Sequence, residues 1–100
     1  MISVLVVEDH AFLRKSLYAL LERTGDIKVV ATASNGVEAV TEAMGLCPDV
    51  VVMDISMPVM NGIEATRQIL LLCPHTRVMM LSAYDNPAYV QQSLQMGALG

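Results

Sequence analysis

The chain alternates short apolar runs with longer stretches in which apolar residues recur every three or four positions. Ile2 to Val7 is almost continuously apolar, the pattern of a strand covered on both faces. Leu13, Leu17, Leu20 and Leu21 follow at helical spacing, with Arg14, Lys15, Glu22 and Arg23 among the polar positions. Thr24-Gly25-Asp26 stops that helix. Lys28 to Ala33 reads as a second strand. Asn35 and Glu38 form a capping pair, and Val37, Val40 and Met44 predict the apolar stripe of a second helix. Val50 to Met53 and Arg77 to Leu81 predict a third and a fourth strand. Between them Ile63, Ile69 and Leu70 mark a helix opened by Asn61-Gly62. Asp85-Asn86-Pro87 supplies a cap and a first-turn proline for a last helix, which Gly97 stops.

Strands alternating with helices predict right-handed βαβ units and a doubly wound α/β fold on a parallel sheet. Leu46-Cys47-Pro48 and Leu72-Cys73-Pro74 hold matching places, each closing a helix before a strand. They share helix-stop grammar and are not a true internal repeat. No linker or low-complexity segment interrupts the pattern, and 100 residues suffice for one domain, residues 1–100. Hydrophobic residues make up 54% and charged residues 16%, which permits a buried core and excludes disorder. A formal net charge of -4 argues against nucleic-acid binding by the surface of this domain itself. The leading residues lack the basic start of a signal peptide, and no apolar stretch approaches the roughly 20 residues needed to span a bilayer. Two cysteines, Cys47 and Cys73, without metal-ligand spacing, read as packing residues in a reducing compartment.

The chemistry comes from polar residues at strand ends. Ligands of open parallel sheets sit outside the carboxyl ends of the strands. Asp54 lies at that end of strand three, Glu8 and Asp9 just past strand one, and Ser82 just past strand four. Clustered carboxylates repel, and a bound cation keeps them ionised together. Hard oxygen ligands suit Mg²⁺ or a similar cation, which keeps waters and shares a substrate phosphate. A carboxylate beside such an ion can attack phosphorus, and a hydroxyl at Ser82 could bond a phosphoryl oxygen. The constellation suggests phosphoryl transfer onto Asp54. Taken alone, Glu8 and Asp9 suit a helix cap as well as a metal site. His10 reads as a helix-start residue, and His75 as a solvated loop residue.

"VLVVEDH", "VVVMDISMPVMNG" and "VMMLSAY" resemble, in order and spacing, the signature segments of bacterial response-regulator receiver domains, and "SNGVEAV" and "QMGALG" fit the same pattern. The wording is most similar to receivers that precede a LuxR/NarL-type helix-turn-helix output domain. The resemblance implies a five-stranded parallel sheet in order 2-1-3-4-5. It implies Asp54 as phosphoacceptor for a sensor histidine kinase, in a signalling domain that takes part in its own phosphoryl transfer and is not an enzyme of another substrate. It implies Mg²⁺ or Mn²⁺ held by Asp9, Asp54 and the backbone carbonyl of Ser56, with Glu8 acting through water. Ser82 matches the switch hydroxyl. Pro58 and Gly62 match the loop into the next helix. Ser56 and Tyr84 stand where side chains border the path of hydrolytic water and modulate dephosphorylation. The family also implies a cytoplasmic location, a receiver homodimer on phosphorylation, and DNA contact only through an output domain.

One departure matters. The family continues past "GALG" with a fifth strand, an aromatic switch residue and a phosphate-binding Lys. None of the basic side chains here, Arg14, Lys15, Arg23, Lys28, Arg67 and Arg77, stands where that Lys would. The expectation is a receiver cut before strand five and helix five, its fourth strand left as a pairing edge. Two rivals come from other classes. A haloacid-dehalogenase-type phosphatase also uses an Asp after a strand, but it needs a second acid two residues on, where Ser56 stands. A phosphorylation-independent, receiver-like interaction module stays open while the Lys is absent.

Overall fold

In the computed structural model, residues 1–54, 60 and 62–81 are described. They form β1 (Ile2–Val7), α1 (Ala11–Glu22), β2 (Ile27–Ala33), α2 (Gly36–Leu46), β3 (Val50–Asp54), α3 (Gly62–Leu72) and β4 (Arg77–Leu81). The strands pair in parallel in the order β2-β1-β3-β4. This is the doubly wound sheet expected from the alternation, with four strands among the described residues in the order expected for the first four. The last helix expected from Pro87 to Gly97 lies outside them, as does Asn61.

The sheet separates two cores, because successive side chains point to opposite faces. Val4 and Val6 of β1 join Leu17 and Leu21 of α1, Ile27, Val29, Val50, Val52 and Met79 on one face. Leu5 and Val7 join Val51, Met53, and residues of α2 and α3 on the other. The central strands β1 and β3 are therefore apolar at consecutive positions, which is why they read as unbroken runs.

The face that α2 presses on the sheet differs from the predicted stripe, and in α3 only one of the three apolar residues that marked the helix is buried. Gly36, Ala39 and Ala43 are the buried residues of α2, while Val37 and Met44 are exposed and Val40 is half-buried. In α3 the buried residues are Gly62, Ala65 and Ile69, and Ile63 and Leu70 are exposed. Small residues let each helix approach the sheet and its neighbour closely. Large apolar residues beside them dominate a hydrophobicity pattern yet face outward.

Helix ends follow local chemistry. Thr24 Oγ1 donates to the Leu21 carbonyl at 3.1 Å and accepts from Asp26 N at 3.1 Å. Gly25 then adopts φ +78°, a left-handed conformation open to glycine at little cost. Asn35 caps α2 by accepting from Glu38 N at 2.9 Å. The Glu38 carboxylate does not complete the reciprocal box. It accepts instead from Ser34 N and Ser34 Oγ, both at 2.9 Å, which holds it below the usual carboxylate range.

The cysteines correct the sequence reading. Cys47 and Cys73 form a disulfide, with Cα atoms 5.5 Å apart, and are not separate packing residues. Both close their helices at the same end of neighbouring α2 and α3, so the matched Leu-Cys-Pro stops bring the sulfurs together. The reducing compartment inferred from two unpaired thiols loses that support.

Candidate functional site

Parallel register builds the site. The last registered pair of β1 and β3 is Val7 with Met53. One residue further along stand Glu8 and Asp54, at the carboxyl edge of the two central strands. Both are almost wholly buried, at 2% and 3% exposure. A buried carboxylate is costly unless it is bonded or neutralised, so two side by side demand an explanation.

Glu8 is partly explained by the chain around it. Its backbone N–H donates to the Ala33 carbonyl at 3.0 Å, and its carbonyl accepts from Arg14 Nη1 at 2.8 Å. Its carboxylate Oε2 accepts from His10 N and from His10 Nδ1, both at 3.0 Å. The turn from β1 into α1 therefore folds back on its own acid. Glu8 and Asp9 do not cap α1. The N-cap is His10, whose side chain makes no capping bond.

His10 is the residue the sequence reading missed. It does start the helix, but its imidazole turns to the acids. Nδ1 also lies 3.2 Å from Asp9 Oδ1. The hydrogen bond to Glu8, then the charges of Asp9 and Glu8, raise its pKa above the ordinary histidine value. A signal existed in the triplet Glu-Asp-His, but helix-start grammar explained it equally well.

Asp9 completes the cluster. Burial pushes its carboxyl up. Its close contacts with Glu8 and Asp54, together with the His10 charge, outweigh that and leave it below the usual range. Its Oδ1 is buried and accepts no hydrogen bond; its near neighbour is His10 Nδ1, an ion-pair contact. One ligand atom from each of Glu8, Asp9, His10 and Asp54 lies within 4.8 Å of all the others. Orphaned oxygen, converging acids and hard donor chemistry fit a divalent cation. Glu8, Asp9 and Asp54, expected to share one crevice, are thus brought together. Ser56, Pro58, Ser82 and Tyr84 lie outside the described residues.

Gly36 opens α2 beside Met60. A Cβ at this position would collide with the carbonyl oxygen and side chain of Met60, between β3 and α3. Only glycine lets the start of α2 sit this close to Met60.

Comparison with known proteins places this geometry. The model of the response regulator receiver domain matches residues 4–100. The transcriptional regulatory protein LnrK of Bacillus subtilis is 40% identical over the whole chain, which spans 46% of that protein. A protein-glutamate methylesterase/protein-glutamine glutaminase of Methanosarcina acetivorans is 52% identical over 56 residues, covering 56% of this chain and 16% of its own. The chain thus spans less than half the length of these curated relatives. Among solved structures, a LuxR-family two-component response regulator from Aurantimonas superposes with a TM-score of 0.79 at 31% identity, over 97% of this chain and 69% of that one.

Proposed function

Because the chain belongs to the response regulator receiver family, we propose that Asp54 accepts a phosphoryl group from a partner histidine kinase and thereby switches an output domain. The observation that carries this reading is the buried Asp54 carboxylate at the end of β3, within 4.8 Å of ligand atoms of Glu8 and Asp9.

The step balances simply. An Asp54 carboxylate oxygen forms a bond to phosphorus. The N–P bond of the donor phosphohistidine breaks, and its electron pair stays on the imidazole nitrogen. Asp9 and Asp54 would hold Mg²⁺ or Mn²⁺ directly and Glu8 through water, with the Ser56 carbonyl as the further protein ligand. Such an ion supplies positive charge that offsets the repulsion between the acids and the incoming phosphoryl oxygens. Burial keeps Asp54 away from bulk water, and the rigid β1–β3 register aims it beside Asp9. Ser82 is assigned the switch hydroxyl, and Ser56 and Tyr84 the control of phosphoryl lifetime. Residues 1–100 act as one phosphoacceptor signalling domain that takes part in its own phosphorylation.

The output is proposed to be transcriptional, through a DNA-binding domain of LuxR type. The match to the transcriptional regulator LnrK over the whole of this chain, 46% of that protein, and the LuxR-family neighbour support it. A receiver homodimer on phosphorylation and a cytoplasmic location complete the reading. Among the described residues, no helix is long and apolar enough to cross a membrane.

Acetyl phosphate, a small phosphodonor, tests the assignment. Labelling is expected with Mg²⁺ and not with excess chelator. Asp54→Asn is expected to abolish it, and Asp9→Ala to weaken it strongly. Full labelling of Asp54→Asn would overturn the assignment.

A further inference from the structure

We propose that His10 is an additional metal ligand, an imidazole nitrogen beside the three carboxylates that tilts this site from Mg²⁺ towards softer divalent ions such as Zn²⁺. The inference rests on the metal-site reading above and deepens it. Glu8, Asp9 and Asp54 alone offer only oxygen. An all-oxygen set suits Mg²⁺ and Mn²⁺, whereas an imidazole favours Zn²⁺ and the later transition ions.

The geometry supports the nitrogen as a ligand. His10 Nδ1 stands 3.0 Å from Glu8 Oε2 and 3.2 Å from Asp9 Oδ1, so it faces the acids. It belongs to the same group of ligand atoms as Asp54. The buried Asp9 Oδ1, which Nδ1 faces, accepts no hydrogen bond, so a cation between the two would satisfy both. An ion there could take the Nδ1 lone pair and the Asp9 oxygen together. The proton would then sit on Nε2. Two-thirds of the His10 side chain is exposed, so the ring can turn a little to meet the ion, and Nε2 can reach water.

Two measurements on the protein test this. The first is pulsed paramagnetic resonance of bound Mn²⁺, which detects a directly coupled nitrogen. The wild type should show nitrogen modulation, and His10→Ala should lose it. The second is calorimetry with Zn²⁺ and with Mg²⁺. His10→Ala should weaken Zn²⁺ by at least roughly tenfold, since losing a ligand costs no less than disturbing the groups behind one, and leave Mg²⁺, which prefers oxygen, within about threefold. His10→Gln, which keeps a polar side chain without the imidazole, should behave like His10→Ala.

Mn²⁺ bound without nitrogen modulation would overturn the role of His10 and leave the carboxylate site standing. Modulation that persists in His10→Ala would trace to another nitrogen, and equal losses of Zn²⁺ and Mg²⁺ would mean a general structural effect. Either result overturns the inference. Mn²⁺ binding undiminished in both Asp9→Ala and Asp54→Asn would overturn the metal-site reading itself, and the role of His10 with it.

Discussion

Asp49 and Ser3 are tied to each other across the amino-terminal ends of β3 and β1. Asp49 Oδ2 accepts from Ser3 N at 2.8 Å and from Ser3 Oγ at 3.0 Å, and Ser3 Oγ accepts from Asp49 N at 2.8 Å. The link lies at the pole of the sheet opposite the acidic crevice. It sets the start of the two strands whose far ends carry Glu8 and Asp54.

These bonds favour the ionised Asp49 and lower its pKa. A carboxylate lowered on folding contributes stability that is present above its unfolded value, ~3.9. That contribution is lost as pH falls through the lower, folded value. Asp49→Asn should therefore flatten the acid limb of unfolding below about pH 4. Urea titrations from pH 2 to 7 (roughly the carboxylate range) check this. An unchanged acid limb would show that the link contributes nothing to pH-dependent stability.

Gly36 and Gly45 lie in the same helix and should respond oppositely to alanine. A Cβ at Gly36 would strike Met60, whereas one at Gly45 meets nothing within 4 Å. Helix propensity favours alanine at both by up to about 1 kcal/mol. At Gly36 the clash with backbone wins, and Gly36→Ala should destabilise by ~1–3 kcal/mol, the usual cost of overpacking. Gly45→Ala should be neutral or stabilising. Denaturant midpoints of the two variants give the comparison directly.

Cys47 and Cys73 are 26 positions apart in sequence. In the chain-entropy account, closing a loop of that length stabilises the folded state by ~3–4 kcal/mol. Reduction, or Cys47→Ser with Cys73→Ser, should lower unfolding stability by up to that amount. The bond lies at the end of α2 and α3 away from Asp54, so metal binding should survive. Alkylation with and without prior reduction reports whether the pair is bonded. Equal stability of the oxidised and reduced protein would show the cross-link to be energetically idle.

Periodicity reads what is local, and that accounts for both the success and the failures of the sequence. β1 and β3 were legible because both of their faces are buried, so every position had to be apolar. Asp54 stood out because it ends such a run. The packing faces of α2 and α3 were not legible, because Gly36, Ala39, Ala43 and Ala65 carry little hydrophobic signal while exposed Val37, Met44 and Ile63 carry much. The disulfide depended on two helix ends meeting in space; the duplicated Leu-Cys-Pro hinted at it only once both helices were placed. The turn of His10 onto Glu8 is likewise a matter of backbone direction, not of residue type.

The central claim is chemical, that a phosphoryl group becomes bonded to Asp54 and to no other acid of the crevice. An aspartyl phosphate is reduced by borohydride to homoserine, whereas a free carboxylate is untouched. The decisive measurement treats the protein with acetyl phosphate and Mg²⁺, reduces it, and locates the modified residue by peptide mass spectrometry. Homoserine at position 54 alone, absent when Mg²⁺ is chelated, is the predicted result. Modification at Glu8 or Asp9 with position 54 unmodified would contradict it.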